Sequence, residues 1–206
     1  MNDSRDAVQL AQTLIDVGRE FHMRGWVPAT AGNFSVRLDE ERCLITVSGR
    51  HKGRLNADDF MEMRLDGEPL SPGKRASAET GLHLALYRSD AQTGCVLHTH
   101  SVASTVLSRI SMESSVELSD MEVLKAFPGI DTHETSLKLP VFPNDQDIPR
   151  LAHTVDDWFE KNPPVPGYLI KGHGLYAWGA DVNEAMTHAE ALEFLLDCEL
   201  RLRQVD

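Results

Sequence analysis

Three of the nine histidines in this 206-residue chain are placed where their imidazole groups could share a metal ion. His98 and His100 follow the apolar segment GCVL and are separated by one residue. Because successive side chains of a strand point to opposite faces, both rings should face the same way. Imidazole suits a borderline-soft divalent ion such as zinc, so the pair predicts a metal site at the end of a strand. The alternative is two polar residues at the point where the chain leaves a sheet.

A third imidazole could join this pair. His173 lies between two glycines in the segment KGHG, directly after the apolar segment 168–170. A single histidine in such a place is often only a turn residue. Three histidines at the ends of buried strands instead predict a site with an open ligand position, which is typical of catalytic zinc. The other histidines are predicted to lie at the surface or the core edge, although two could line a pocket: His83 and His188.

Two carboxylates could take part in the chemistry. Glu79 lies in the first turn of a predicted helix that begins at Ser77, where the helix dipole favours an acid even without a catalytic role. Glu122 lies among apolar neighbours in SDMEVLKAF. An acid in that setting can have a raised pKa, as a general acid or base requires. The alternative for Glu122 is a solvent-facing position, because glutamate is rarely buried.

Small polar residues and glycines predict a place for a phosphate group. The segments TAGNFS (30–35) and TVSG (46–49) each follow or enter a strand. Together with Ser77 at a helix start, they offer hydroxyls and backbone N–H groups that suit an anion, and Lys52 could add a positive charge. Taken one at a time, these are ordinary turn motifs. The glycine patterns of dinucleotide and ATP sites are absent from the sequence.

These residues must be positioned by an α/β fold. Apolar spacing predicts long helices over 4–24, 77–89, 101–110, 148–160 and 183–203, with a short helix over 121–127. Short strands are predicted over 34–38, 43–48, 60–65, 94–98, 137–142, 168–171 and 175–178. The first helix has a candidate N-cap in Asp3 or Ser4 and a stop at Gly25. Since no linker separates two cores, we expect one domain over 1–206, with a mostly antiparallel sheet covered by helices.

Composition narrows the function classes. The chain is 41% apolar and 25% charged, values of an ordinary globular protein. Its net charge of −12, without a basic patch, argues against nucleic-acid and membrane surfaces. The three cysteines are irregularly spaced, which predicts neither a disulfide framework nor a four-thiolate zinc site. With no signal-peptide pattern at the start and no apolar stretch that could span a bilayer, we expect a cytoplasmic protein.

Several motifs, in a fixed order, resemble those of the class II aldolase/adducin family over essentially the whole chain. They are AGNFSVR, SGRHKGRL, SAETGLHLALY, VLHTHS and GYLIKGHGLYAWG. The resemblance implies an αβα sandwich, assembled as a homotetramer with sites near subunit interfaces. It implies one zinc ion per subunit, held by His98, His100 and His173. It also implies that phosphate is bound at Asn33, Ser48, Gly49 and Ser77, with Lys52 as a helper.

Two further segments resemble one branch of that family. THETSLKLPVFPNDQDIPRLA and HAEALEFLLDCEL are similar to dehydratases that convert 5-methylthioribulose 1-phosphate to a 2,3-diketone in methionine salvage. The resemblance implies that Glu122 is the acid–base residue, whereas Glu79 matches the catalytic glutamate of sugar-phosphate aldolases and is expected here to orient substrate. An aldolase or epimerase, and a non-catalytic adducin-like module, are the alternatives. Adducin-like members lack the metal ligands, and this chain keeps all three.

Overall fold

The computed structural model describes residues 3–205. The helices are α1 (Asp3–Met23), α2 (Thr80–Ser89), α3 (Val102–Ile110), α4 (Ile148–Phe159) and α5 (Val182–Leu202). The strands are β1 (Asn33–Arg37), β2 (Arg42–Thr46), β3 (Phe60–Arg64), β4 (Cys95–Thr99), β5 (Ser115–Ser119), β6 (Ser136–Phe142), β7 (Gly167–Ile170) and β8 (Gly174–Gly179). Short 3-10 turns lie at Lys52–Arg54, Ala57–Asp59 and Glu122–Ala126.

The eight strands form one sheet in the order β3-β2-β1-β4-β8-β7-β6-β5. β6 and β7 run parallel, and the other neighbouring strands are antiparallel. Helices α1, α3 and α5 contribute to the core on one face of the sheet, and α2 and α4 to the core on the other. The predicted αβα sandwich with a mostly antiparallel sheet is therefore confirmed.

The alternation of side chains along β4 determines which residues point to each face of the sheet. Leu97 packs into the core beneath α1, α3 and α5, whereas Val96 packs into the core beneath α2 and α4. With a period of two, His98 shares the face of Val96 and Thr99 shares the face of Leu97. The histidine of this strand is consequently turned toward α2, and the threonine toward α5.

Strand β1 follows the same rule beside β4. Phe34 and Val36 belong to the core of α1, α3 and α5. Asn33 and Ser35 therefore face α2, although both are buried and polar. A buried polar side chain requires hydrogen-bond partners, so the face between β1, β4 and α2 is the place to look for a built polar site.

Helix α2 begins later than the sequence predicts. Its first residue is Thr80, not Ser77, and Glu79 is the cap residue rather than part of the first turn. The Ser77 carbonyl accepts a hydrogen bond from the Thr80 N–H at 3.2 Å, and its hydroxyl lies 3.3 Å from the Glu79 N–H. Ser77 thus closes a turn before the helix. Glu79 makes no side-chain capping bond, which leaves its carboxylate available elsewhere.

Strand β5 was not predicted. It pairs antiparallel with β6 at the edge of the sheet and alternates buried and outward side chains, with Val116 and Leu118 inside. The stop of α1 at Gly25 is confirmed, since this residue has a φ of 76°. The predicted N-cap at Asp3 or Ser4 concerns side chains outside those that the structure describes. Over 3–205, no helix combines the length and apolar character needed to cross a membrane.

Candidate active site

The three predicted histidines meet, and a carboxylate joins them. One ligand atom from each of His98, His100, His173 and Glu79 lies within 4.8 Å of the others. Nε2 of His98 is 3.2 Å from Nε2 of His173, and Glu79 Oε1 is 2.8 Å from the same His173 atom. The sequence predicted the three imidazoles as one cluster but placed Glu79 only in its vicinity.

His98 is held so that one ring nitrogen points into the cluster. The ring is fully buried in β4, and its Nδ1 donates a hydrogen bond to the carbonyl oxygen of Leu175 at 2.8 Å. Tyr176 stacks on it, with ring centroids 3.9 Å apart. Since Nδ1 carries the proton, Nε2 presents a lone pair to the cluster. A backbone carbonyl that fixes the tautomer in this way is the usual partner of a metal-binding histidine.

His173 owes its position to the tight turn between β7 and β8. Gly172 has a φ of 64°, and a Cβ on Gly174 would collide with the carbonyl oxygen of Thr99. The hydroxyl of Thr105 donates to the His173 carbonyl at 2.9 Å. These contacts press the turn against the end of β4, so that His173 reaches the ring of His98.

The protonation states suit a metal ion. Burial lowers the pKa of His98 well below its ordinary value and lowers that of His100 to about 4. Burial raises the pKa of the Glu79 carboxyl, but the hydrogen bonds from His173 and Asn33 outweigh it and leave this pKa below its usual range. The neutral rings of His98 and His100 beside a carboxylate are donors that a zinc-like divalent ion accepts, so the cluster fits such an ion.

A buried chain of hydrogen bonds leads from α2 to Glu79. Asn33 Nδ2 donates to Glu79 Oε2 at 2.6 Å, so Asn33 Oδ1 must accept, and it faces Nε2 of His83. His83 therefore carries its proton on Nε2, and its Nδ1 accepts from the Ser35 hydroxyl at 2.7 Å. The Tyr87 hydroxyl, 2.7 Å from Ser35 Oγ, is then the donor to Ser35. The acceptor-only carboxylate fixes the direction of every bond in the chain.

His83, which the sequence named only as a histidine that could line a pocket, is part of this hydrogen-bond chain. It is fully buried, and burial lowers its pKa to about 3, so the ring is neutral at physiological pH. The spacing in the sequence could have indicated this role, because His83 follows Glu79 by four residues and so lies on the face of α2 beneath it. The sequence could not show that β1 supplies the partners.

The predicted phosphate-binding residues line one cavity of about 320 Å³. Its lining residues include Asn33, Ser48, Gly49, Lys52, Ser77 and Glu79, and also His100 of the histidine cluster. We call this cavity the cradle. Because Glu79 and His100 belong to both places, the cradle opens directly beside the cluster.

Lys52 supplies a positive charge to the cradle. Only 2% of the residue is exposed, and its ammonium donates to the carbonyl oxygens of Thr30 at 2.8 Å and Arg50 at 2.6 Å. Burial lowers the pKa of Lys52 to about 8, against the opposing charges of Glu79 and Asp59. Two carbonyls leave the third ammonium proton for another acceptor, which suits a phosphate oxygen.

Glu122 is not brought to the cluster within its own chain. Its side chain is 70% exposed, and its carboxylate pairs with Lys125 Nζ at 2.6 Å. Its other oxygen is 3.7 Å from His133 Nδ1. The expected raised pKa is wrong for this environment: the hydrogen bond and charge of Lys125 lower the pKa of Glu122. The apolar neighbours in the sequence pack inward, and Glu122 faces out.

Behind the cluster, a second buried carboxyl group contacts β4, the strand that carries His98. Thr99, between His98 and His100, donates its hydroxyl hydrogen bond to Oε1 of Glu193 on α5. Oε2 of Glu193 is buried and has no partner within residues 3–205. Burial raises the pKa of Glu193 to about 7. Glu193 was not among the predicted site residues, although it lies among apolar residues of α5.

Comparison with known proteins decides the family. The Class II Aldolase and Adducin N-terminal domain matches residues 12–200, which include the whole cluster and cradle. The chain belongs to the class II aldolase and adducin family. The resemblance inferred from the sequence motifs is thereby confirmed.

Three proteins similar to this chain over most of its length are named as enzymes. The methylthioribulose-1-phosphate dehydratase of Pseudomonas aeruginosa PAO1 is 54% identical over 202 residues, which are 98% of this chain and 98% of that protein. YgbL of Escherichia coli, described as an aldolase/epimerase/decarboxylase, is 28% identical with a TM-score of 0.81, over 95% of this chain and 90% of that one. L-fuculose-1-phosphate aldolase of Thermus thermophilus is 27% identical with a TM-score of 0.76, over 97% and 99% of the two chains.

Proposed function

We propose that this protein is a hydro-lyase that converts 5-methylthioribulose 1-phosphate to 5-methylthio-2,3-diketopentyl 1-phosphate in methionine salvage. The observation that carries the proposal is the shared boundary of the metal cluster and the cradle, where Glu79 and His100 belong to both. In a ketose 1-phosphate, the phosphate on C1 is likewise next to the C2 carbonyl and C3 hydroxyl oxygens that could bind a metal ion. The dehydratase of P. aeruginosa, 54% identical over 98% of both chains, supports the choice of substrate.

We propose zinc as the ion, one per subunit, held by His98, His100 and His173. The supporting observations are the neutral imidazoles and the fixed tautomer of His98. When bound, zinc supplies Lewis-acid chemistry, which stabilises the negative charge that develops beside a ketose carbonyl as a proton leaves. Glu79 lies close enough to the three rings to orient the substrate oxygens among them.

The cradle residues bind the phosphate in this proposal. Hydroxyl and backbone groups at Ser48, Gly49 and Ser77 donate to its oxygens, together with the amide of Asn33. The Lys52 ammonium supplies a positive charge inside the cradle, in a chain whose net charge is −12. This anchoring fixes the distance from C1 of the substrate to the histidines.

Glu122 is proposed as the acid–base group. It takes the proton from C3 of the substrate and returns one to the C4 hydroxyl, which leaves as water. The enol that forms then tautomerises to the 2,3-diketone. Acid–base assistance of this kind contributes roughly 10²–10⁴ in rate. Because Glu122 is exposed and pairs only with Lys125 and His133 among the contacts described for it, we propose that it serves the site of a neighbouring subunit.

That role requires the predicted homotetramer, which we propose as the working form. We further propose that residues 1–206 form one domain, since the eight strands share one sheet. A cytoplasmic location is also proposed. The three cysteines are unpaired, and two of them, Cys43 and Cys95, are buried, as suits a reducing compartment.

A class II sugar-phosphate aldolase or epimerase is the second candidate. The observation that favours it is the position of Glu79 within the cluster, together with the likeness to L-fuculose-1-phosphate aldolase. An aldolase would cleave the C3–C4 bond of the same substrate and release dihydroxyacetone phosphate. A non-catalytic adducin-like module is disfavoured because it would not need neutral imidazoles around a carboxylate.

The function is tested by removing and restoring the ion. Protein stripped with a chelator should not consume 5-methylthioribulose 1-phosphate, and stoichiometric zinc should restore formation of the diketone. Full turnover by protein shown to be free of metal would contradict the proposal, as would zinc-loaded protein that leaves the substrate unchanged.

A further inference from the structure

A second, smaller cavity lies on the other side of the metal cluster. Its volume is about 80 Å³. It lies between α2, α4 and the end of β7, and its lining includes Leu82, Asn144, Asp145, Ile148, Leu151 and Ile170. We call it the tail cavity. It shares Ala78 and Glu79 with the cradle, but it reaches His173 whereas the cradle reaches His100.

The inner wall of the tail cavity is apolar. Leu82 of α2, Leu151 of α4 and Ile170 of β7 are each at most 2% exposed. Ile148, the first residue of α4, is partly exposed and completes this wall toward the cluster. The two helices approach closely there, because a Cβ on Gly81 would lie only 3.1 Å from Ile148 Cγ2.

The outer rim is polar, but its charge is already paired. Asp145 accepts two hydrogen bonds from the guanidinium of Arg150, at 2.6 and 2.7 Å. Asn144 Oδ1 lies 3.4 Å from His173 Nδ1. Neither side chain therefore presents an unpaired charge to the cavity, so an uncharged, apolar group can enter without leaving an ion unsatisfied.

The two cavities and the cluster lie in the order in which the proposed substrate carries its groups. A phosphate in the cradle and chelating oxygens at the histidines leave the C4–C5 end of the ketose beside His173. We propose that the tail cavity receives the methylthio group and that Ile148 sets the preference for it. This inference rests on the proposed function and deepens it.

The size of the tail cavity agrees with this occupant. A water molecule takes up about 30 Å³ of liquid, so about 80 Å³ admits a sulfur and a methyl group but not a second sugar. A thioether gains little from hydrogen bonding and packs well against aliphatic carbon. The wall formed by Leu82, Ile148, Leu151 and Ile170 supplies that surface.

The test compares 5-methylthioribulose 1-phosphate with 5-deoxyribulose 1-phosphate, which lacks the thioether. The wild-type protein should prefer the methylthio substrate in kcat/KM by about 10- to 200-fold, the range for small apolar groups in a fitted pocket. Ile148→Phe should fill the cavity and reduce this preference about tenfold or more, through KM for the methylthio substrate. Leu10→Phe, a change on α1 beneath the opposite face, is the matched control and should keep the wild-type preference.

Ile148→Ala provides a second readout that does not depend on the fit of phenylalanine. It enlarges the cavity and should move the preference toward the 5-ethylthio analogue. A discrimination ratio that stays at the wild-type value in folded Ile148→Phe and Ile148→Ala proteins would overturn this inference alone, since the wild type would still dehydrate both ketoses. Failure of the wild type to form a diketone from either ketose would instead overturn the proposed function, and the inference with it.

Discussion

Oε1 of Glu79 lies 2.8 Å from Nε2 of His173, so the residue before α2 meets the turn between β7 and β8. The other oxygen of Glu79 accepts from Asn33 at 2.6 Å. One carboxylate thereby joins the histidine cluster to the cradle. A ketose phosphate held at both places has its reacting carbons between them, which is the basis of the proposed activity.

The three histidines are expected to hold zinc together. His98→Ala, His100→Ala and His173→Ala should each lower zinc content after dialysis and abolish turnover. Loss of an outer hydrogen-bond partner costs roughly 10- to 100-fold in metal affinity, and loss of a ligand should cost more. His153→Ala is the control, because its side chain is 79% exposed. Stoichiometric zinc and full activity in any one ligand variant would remove that residue from the site.

The two glutamates are expected to differ in their kinetics. Glu122→Gln keeps shape but cannot accept a proton, so kcat should fall on the order of 10²–10⁴ with zinc retained. Glu79→Gln should be milder, and Glu117→Gln, on the outward side of β5, should be neutral. Steady-state kinetics and metal analysis check the ranking. The opposite order would assign proton transfer to Glu79 and favour the aldolase-like mechanism.

Hybrid tetramers can show whether Glu122 serves a neighbouring subunit. Co-expressed Glu122→Gln and His98→Ala chains should together be more active than tetramers of either variant alone, because some sites combine an intact cluster with an intact Glu122. Tetramers that form from both chains but are no more active than the Glu122→Gln protein would place Glu122 outside that role.

The hydrogen-bond chain that ends at Glu79 should contribute to stability. His83→Phe removes the donor to Asn33 Oδ1 and the acceptor of the Ser35 hydroxyl proton, which costs about 1–3 kcal/mol in the free energy of unfolding. Urea denaturation measures this loss, with His153→Phe as an exposed control. Because Asn33 then loses its fixed orientation, KM for the phosphorylated substrate should also rise. Unchanged stability and KM would contradict the hydrogen-bond directions in this chain.

Glu193 should make the folded state less stable as pH rises. Burial raises its pKa from 4.5 to about 7, so the folded state keeps a proton that the unfolded state releases. The stabilisation is complete below the unfolded pKa and is lost as pH rises through about 7. Each pKa unit corresponds to about 1.4 kcal/mol, so the free energy of unfolding of the wild type should fall by on the order of 3 kcal/mol between pH 4.5 and 8 because of Glu193. The Glu193→Gln protein should not show this fall. Parallel pH profiles of unfolding for both proteins would contradict this.

Short-range patterns were sufficient to predict most of the fold. The alternation in β4 predicts that His98 and His100 share a face, and the glycines around His173 predict a tight turn. Strand β5 was missed although Val116 and Leu118 alternate as a half-buried strand should. The start of α2 was placed early, because Ser77 is a good capping residue by type but closes a preceding turn instead.

The partners within the site could not be predicted, because they depend on which strand lies against which helix. The sequence does not show that β1 presents Asn33 and Ser35 to His83, and the direction of their hydrogen bonds follows only from the carboxylate of Glu79. Likewise, the apolar neighbours of Glu122 suggested burial, whereas the short 3-10 turn directs its carboxylate to Lys125.

The identity of the product tests the central claim most directly. Zinc-loaded protein is incubated with 5-methylthioribulose 1-phosphate that carries deuterium at C3, and the products are followed by NMR. A dehydratase removes the C3 hydrogen as a proton, so we predict the 2,3-diketone with its deuterium lost to water. Dihydroxyacetone phosphate that retains deuterium would contradict the account and establish carbon–carbon cleavage instead.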